Sequence, residues 1–354
     1  MKILRRYIGT TVINTILIVV LVLIAVEIFI EFTGEFSDMG IGNYGLPQVL
    51  LCVAMRLPAD IYQFFPMAGL IGSLMGLGLL ASHSELIAMR ASGVSLTRIT
   101  WAVIKAAFLA MLVAILLGEV VAPFLQHSAT SFKAQAMSRG QALHTQHGIW
   151  IRNDQDFMYI DTTLPNGQIR DITRYQFDDN YHLHSASYAK QAVYDHGKWV
   201  FSDVAESVFL GNKIISKHYD NEEWKLAFNP RLLSLIDMDN DQRSLPQLYS
   251  YIKYLQNSDL QFNEYEFDFW QRIFQPVAIL VMILLSVPFI FGPLRTVTMG
   301  LRILAGTVTG FTFYILNQCI GLLCTVYQLS PLATASLPTV LIAILGFILL
   351  LRAR

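Results

Sequence analysis

Long charge-poor runs separated by short polar breaks fill the first third and the last quarter of the chain. From Tyr7 to Val26 no residue is charged, and the first membrane span is placed at about Thr11 to Ile30. A second is predicted from about Leu57 to Ala81, and a third from Ile99 to Val121. The third tolerates Lys105 and Glu119 near its opposite ends, where long side chains reach the interface. A fourth runs from about Ile273 to Leu294. Between Ile303 and Leu351 nothing is charged; as a single helix that stretch would be about twice the ~30 Å thickness of a hydrocarbon core. It must fold back at Tyr327-Gln328-Leu329-Ser330-Pro331, which gives spans five and six. Lys2, Arg5 and Arg6 before the first run resemble the start of a secretory signal, but the run is too long for a signal core and has no A-x-A cleavage site, so a retained helix is expected.

Between these regions the pattern shortens to alternation, as in Phe157-Met158-Tyr159-Ile160 and Trp199-Val200-Phe201. Asn166-Gly167, Asp178-Asp179-Asn180 and His196-Gly197 suit hairpin turns. Short strands at this spacing predict a β-sandwich or jelly roll. The expected organisation is therefore an α-helical membrane protein with six spans and one all-β, jellyroll-like domain. Spans one to three occupy 1–122, with a short helix at about 83–93; the β domain occupies 123–268, and spans four to six 269–354.

Composition agrees with lipid as part of the solvent. The chain is 54% hydrophobic and 14% charged, against about 25% charged in ordinary soluble domains. A formal net charge of −1 without a basic cluster argues against nucleic acid as partner. Cys52, Cys319 and Cys324 all lie in or beside apolar runs, so none is available to staple the β domain. Lys2, Arg5, Arg6, Arg90, Arg98, Arg295, Arg302, Arg352 and Arg354 fall on one side of a six-span chain, whereas the loop Thr33 to Arg56 on the other has only Arg56 against Glu35 and Asp38. The positive-inside rule then predicts both termini in the cytoplasm and the β domain outside.

Motifs of catalysis are absent. There is no G-x-x-x-x-G-K-[ST] phosphate loop, no H-E-x-x-H zinc pair and no G-x-S-x-G elbow, so any ATP-driven step needs another chain. His144 with His147, or His182 with His184, has the spacing of paired ligands, but no cysteine or carboxylate cluster completes a metal site. After span two, Ser82 and Glu85 form an S-x-x-E capping box and Gly93 a natural stop, which predicts a helix of about three turns. Such a helix presents Glu85, Leu86, Met89 and Arg90 to a soluble partner, or Glu85 only caps and Arg90 only obeys the charge rule. Gly72 and Gly76 in span two, and Gly306 and Gly310 in span five, have the four-residue spacing of close helix contacts, either static packing or a sliding gate. Glu27 and Glu31 share a face near the outer end of span one and should face a cavity or partner rather than lipid.

The stretch Phe64-Phe65-Pro66-Met67-Ala68-Gly69-Leu70 through Gly76-Leu77-Gly78, followed by Ser84-Glu85-Leu86 and Ala91-Ser92-Gly93, resembles the LptF/LptG family of lipopolysaccharide-export permeases. Arg6-Tyr7-Ile8-Gly9, Gly118-Glu119-Val120-Val121-Ala122-Pro123, Ala134-Gln135-Ala136-Met137, Phe274-Gln275-Pro276 and Phe289-Ile290-Phe291-Gly292-Pro293-Leu294-Arg295 are similar to the LptG branch more than to LptF. The resemblance implies pairing with an LptF-like permease on an LptB-like ATPase dimer, which binds the ATP and magnesium. It further implies a single-helix LptC-like protein, an LptA-like periplasmic bridge, lipopolysaccharide as cargo and an inner-membrane location. It makes the segment with Ser84, Glu85, Leu86, Met89 and Arg90 a coupling helix. Where the family can present a lysine to lipid phosphates this chain has Glu31, an anion that repels phosphate unless a base or cation intervenes. Lys133, with Arg56 and Arg139 behind it, is the expected phosphate contact instead. The alternatives are an LptF-like or lipoprotein-releasing permease, a membrane hydrolase of envelope lipids, or a passive scaffold.

Overall fold

A computed structural model describes residues 2–137, 148–153, 156–163, 168–178, 182–195, 198–210, 213–224, 238, 240–257, 260–291 and 297–352. The chain divides into two compact units, one of residues 1–39, 49–129 and 262–354, the other of residues 40–48 and 130–261.

The first unit is built from α1 (Lys2–Glu35), α2 (Leu46–Ser82), α3 (Glu85–Ala91) and α4 (Leu96–Ile115). A π-helical turn (Leu116–Val121) leads from α4 into α5 (Ala122–Met137). Beyond α6 of the second unit (Leu245–Asn257) come α7 (Asn263–Phe291), α8 (Met299–Tyr327) and α9 (Pro331–Arg352). Among the described residues six helical stretches are long and apolar enough to cross a membrane, with α4 through α5 forming the third. The helices outrun the expected spans: α2 begins at Leu46 instead of Leu57, and the third continues to Met137, past the expected boundary at 122. A count of uncharged residues measures the hydrocarbon crossing, whereas helical hydrogen bonding carries on into water.

The expected fold-back lies between α8 and α9. Gln328 takes the left-handed conformation (φ 49°), the Cys324 thiol lies 3.5 Å from the Leu329 carbonyl, and Pro331 opens α9, where its missing N–H costs nothing. The second span is the hub: 72% of the residues in its apolar centre are buried, against 50% for α7 and 22% for each of α1, α8 and α9. Leu70, Leu74 and Leu77 of α2 share one core with Val12 and Ile16 of α1, Val103 and Ala107 of α4, and Ile279 and Ile283 of α7. Arg302, expected only as a cytoplasmic-side charge, is buried, and its Nη1 donates to the Gly78 carbonyl near the end of α2 at 3.0 Å.

Among the described residues the second unit carries six strands, β1 (Ile149–Asn153), β2 (Asp156–Thr163), β3 (Ile169–Phe177), β4 (Leu183–Asp195), β5 (Lys198–Leu210) and β6 (Lys213–Trp224). They pair in strictly sequential antiparallel order, an up-and-down meander. The turn residues Asn166-Gly167, Asp179-Asn180 and His196-Gly197 lie outside the described residues, as do His144, His147, Arg139 and Arg295; the strands flanking each turn do pair as hairpins. One face gathers Met158, Ile160, Ile172, Trp199, Phe201 and Trp224 into a core. The Arg174 guanidinium of β3 lies 4.9 Å over the Trp224 ring of β6. Flat strands would set β3 and β6 three spacings apart, roughly 14 Å, so the sheet curls around this face.

One row interrupts the ladder. Ile160 pairs with Ile172, Ala189 and Val204 in turn, and Thr162 with Arg170, Gln191 and Ser202, but Asp161, Asp171, Lys190, Asp203 and Asp220 between them are not paired. Asp171 and Asp203 are left-handed there (φ 53° and 59°), a region aspartate tolerates better than most residues. Buried positions consequently step by three across the row, Ile169 to Ile172, Ala189 to Ala192 and Phe201 to Val204. The Tyr188 hydroxyl donates to Asp171, and that bond, with Asp203 and Asp161 near, raises its pKa.

Candidate functional site

The segment after the second span forms α3 by a different route from the one the sequence suggests. Ser82 is still in α2, its hydroxyl donating to the Leu79 carbonyl at 2.9 Å, so the Ser82–Glu85 capping box is not made. Ser84 reverses the chain in the left-handed conformation (φ 59°), and α3 runs for 7 residues, about two turns rather than three. It ends in a Schellman motif: Val94 N–H bonds Met89 O and Gly93 N–H bonds Arg90 O, each at 3.0 Å, with Gly93 at φ 87°.

Burial divides the predicted contact residues. Leu86 and Met89 are 2% and 9% exposed and belong to the core of the helical unit, so they are not offered to a partner as the sequence suggested. Two turns of helix have only one outward face, and here it carries Ser84, Ile87, Ala88 and Arg90. Ile87 is 64% exposed, a large apolar side chain that the sequence reading passed over. Glu85 stands at the edge, accepting a hydrogen bond from the Tyr7 hydroxyl of α1 at 3.2 Å, and Arg90 lies 5.8 Å over the Phe291 ring of α7. Backbone, core and both polar contacts thus tie α3 to α1 and α7.

At the other end of the bundle, Arg56 Nη1 lies 3.0 Å from Glu35 and 3.9 Å from Glu31. Asp60 is close enough to act on Glu31 electrostatically, and so is Glu27, one turn away on α1. Arg56, expected beside lipid phosphate, has two carboxylates near its guanidinium and is a base close to Glu31. In the second unit Lys133 Nζ lies 5.7 Å over the ring of the buried Tyr44.

The four glycines mark close helix crossings. A Cβ on Gly72 would lie 2.4 Å from the Ile16 Cα of α1, and one on Gly76 2.6 Å from Thr15 Oγ1. On α8, a Cβ at Gly306 would meet Leu74 Cδ1 at 2.7 Å, and at Gly310 Met67 Cγ at 2.5 Å.

A pair of prolines creates a further polar contact. Pro66 of α2 has no N–H for the Tyr62 carbonyl, and Pro276 of α7 has none for the Arg272 carbonyl. Each freed carbonyl is taken by the opposite helix: Gln275 Nε2 donates to Tyr62 O at 3.1 Å, and the Tyr62 hydroxyl donates to Arg272 O at 3.4 Å. Gly118 in the π turn makes room for the Tyr62 ring, since a Cβ there would lie 2.3 Å from it, and Tyr62 also reaches Glu119 at 3.5 Å. Replacing Gln275 with leucine strands a carbonyl in apolar surroundings, at about 1–3 kcal/mol. A melting temperature several degrees lower for the detergent-purified protein is expected, and an unchanged one would show that the bond carries no weight.

Beside this crossing lies an amide-rich patch. Gln63 Nε2 and Gln318 Nε2 both point to the Tyr314 hydroxyl, at 3.2 and 3.4 Å. With Gln271, Gln275 and Asn317 they line a cleft of about 50 Å³ midway along α2, α7 and α8. Amides in the middle of apolar helices are the signal by which the sequence could have revealed it; Gln63 and Gln318 are exposed, and hydrocarbon would leave them underbonded.

Comparisons with known proteins bear on these arrangements. Residues 6–352 match the family described as lipopolysaccharide export system permease LptF/LptG. The chain is 36% identical over 353 residues to the lipopolysaccharide export system permease protein LptG of Escherichia coli (strain K12), covering 99% of this chain and 98% of that protein. It is 34% identical over 353 residues to the protein of the same description from Haemophilus influenzae, covering 99% of each.

Proposed function

From the premise that the chain belongs to the LptF/LptG family of lipopolysaccharide export permeases, we propose that it is the transmembrane, non-hydrolysing subunit of an exporter that lifts lipopolysaccharide out of the inner membrane. The single observation that supports this best is the mid-helix patch of exposed Gln63 and Gln318 around the half-buried Tyr314, because such groups need a polar cavity or a polar cargo. An LptF-like subunit, paired across this face, completes a cavity that is apolar for acyl chains and polar for headgroups. Both termini and α3 are cytoplasmic and the sheet is periplasmic, an orientation the arginine distribution supports.

An LptB-like ATPase dimer binds ATP and magnesium and grips α3. Because Leu86 and Met89 are rooted in the core of the bundle, closure of the dimer moves α1 and α7 along with α3, narrowing the cavity. The lipid then passes to the curled sheet, and from there to LptC-like and LptA-like carriers. Lys133 faces the lipid phosphates at the exit.

Two measurements test this reading. Purification in mild detergent should retain a sister permease in one-to-one ratio to this chain, together with the ATPase dimer and bound lipopolysaccharide. A photoreactive residue at position 318 should crosslink to that lipid, and Lys133→Glu should lower crosslinking from the neighbouring position 134 while the subunits still copurify. Absence of lipopolysaccharide from both the preparation and the crosslinks would remove the exporter assignment.

A further inference from the structure

A second cavity, of about 160 Å³, lies far from the amide patch, where α1 meets the start of α4. Arg5 and Arg98 line it together with the apolar walls of Leu4, Ile8 and Val94 and with the ring of Trp101. Both arginines are exposed, and neither has an ion-pair or hydrogen-bond partner among the described residues. Trp101 is 60% exposed and opens a lipid-facing stripe that continues through Phe108 and Leu112 of the same helix. Lys105 interrupts that stripe one turn beyond Trp101, exposed and likewise without a partner among the described residues. A cation in that position extends its ammonium toward the headgroup region.

From this arrangement we propose a binding site for an anionic phospholipid of the cytoplasmic leaflet, its phosphate held between Arg5 and Arg98. The chemistry fits at each level. Two guanidiniums offer several N–H donors to phosphate oxygens, and Arg matches that geometry better than Lys. Trp101 takes the position aromatic rings favour at the interface. The acyl chains run along Phe108 and Leu112, and Lys105 supplies further positive charge beside the headgroup. Basic pockets on the cytoplasmic side of a helical bundle favour such lipids over zwitterionic ones. The leaflet assignment rests on the orientation given under Proposed function; the choice of an anionic headgroup rests on the cavity itself.

The assembled complex, reconstituted in discs of phosphatidylcholine with or without phosphatidylglycerol, provides the test. Either lipid is supplied with brominated chains, and the fluorescence of Trp101 is isolated by subtracting a Trp101→Phe complex. Brominated phosphatidylglycerol should quench Trp101 at a lower mole fraction than brominated phosphatidylcholine. Arg5→Gln and Arg98→Gln should each weaken that preference about fivefold, and Arg5→Lys should largely restore it. Equal quenching by the two lipids in the unsubstituted complex would overturn the proposal, and so would a preference that survives the double replacement. Protection of Trp101 from both lipids would assign the cavity to a neighbouring subunit instead. Copurified lipopolysaccharide, measured on the same samples, separates failure of this site from failure of the exporter reading.

Discussion

Gly72→Ala should all but abolish recovery of folded protein, while Gly306→Ala should leave most of it. The contrast rests on what each new Cβ would meet. At Gly72 it would lie 2.4 Å from Ile16 Cα and 2.7 Å from Ile16 N, atoms of the α1 backbone that no rotamer change can move. The two helices would have to part along a seam that also buries Val12 and Ile16. At Gly306 the nearest atom is Leu74 Cδ1 at 2.7 Å, the tip of a flexible side chain, and the first backbone atom is 3.5 Å away. Overpacking costs about 1–3 kcal/mol when side chains can yield, and more when backbone must. Yield and melting temperature in detergent would decide the matter; equal behaviour of the two variants would mean that the crossing at Gly72 is looser than described. A static seam here also sharpens the choice left open by the glycine spacing, since a helix locked by backbone contact does not slide without losing its core.

Ile87→Glu should cut association with the proposed LptB-like ATPase by about 2 kcal/mol or more, some thirtyfold, with the bundle intact. Ile87 is the large apolar residue on the outward face of α3, and a buried aliphatic anchor ringed by polar residues is how such joints usually hold. Glu85→Lys should act in the same direction, because reversal places an unmatched charge at the joint and forfeits the bond from Tyr7. Leu86→Ala should behave differently, lowering melting temperature by opening a cavity of the kind that costs about 2–5 kcal/mol. Copurification of the ATPase and lipid-stimulated ATP turnover separate these effects. If Ile87→Glu copurifies normally while a folded Leu86→Ala does not, the inner and outer faces of α3 have been assigned the wrong way round.

The six crossings were legible because lipid imposes a simple rule on composition. The fold-back at Tyr327 to Pro331 was equally so, since a proline at the start of a helix is a local signal. The faces of α3 were not. With Leu86 and Ile87 adjacent, both apolar, only the neighbours of α3 decide which turns inward, and those neighbours are Tyr7 and Phe291, far away in sequence. The ion pairs of Arg56 were hidden for a similar reason: nothing local says that Glu31 and Glu35, a turn apart on another helix, will lie beside its guanidinium. Glu119 was read as an interfacial charge because hydropathy cannot show a π turn or the tyrosine packed against it. Gln275 and Pro276 were noticed as a likeness to other sequences, while their physical task, exchanging orphaned carbonyls with Tyr62 and Pro66, becomes visible only when α2 and α7 are side by side.

The row from Asp161 to Asp220, where the strand register breaks, places a demand on changes of length in the sheet. Each of β3, β4 and β5 reverses the sidedness of its residues at that row, and the reversals agree only because they line up. Deleting Asp203 alone would leave β5 one residue out of register with both neighbours on one side of the row. A change of length in β3, β4 or β5 at this latitude therefore calls for a matching change in the strands beside it.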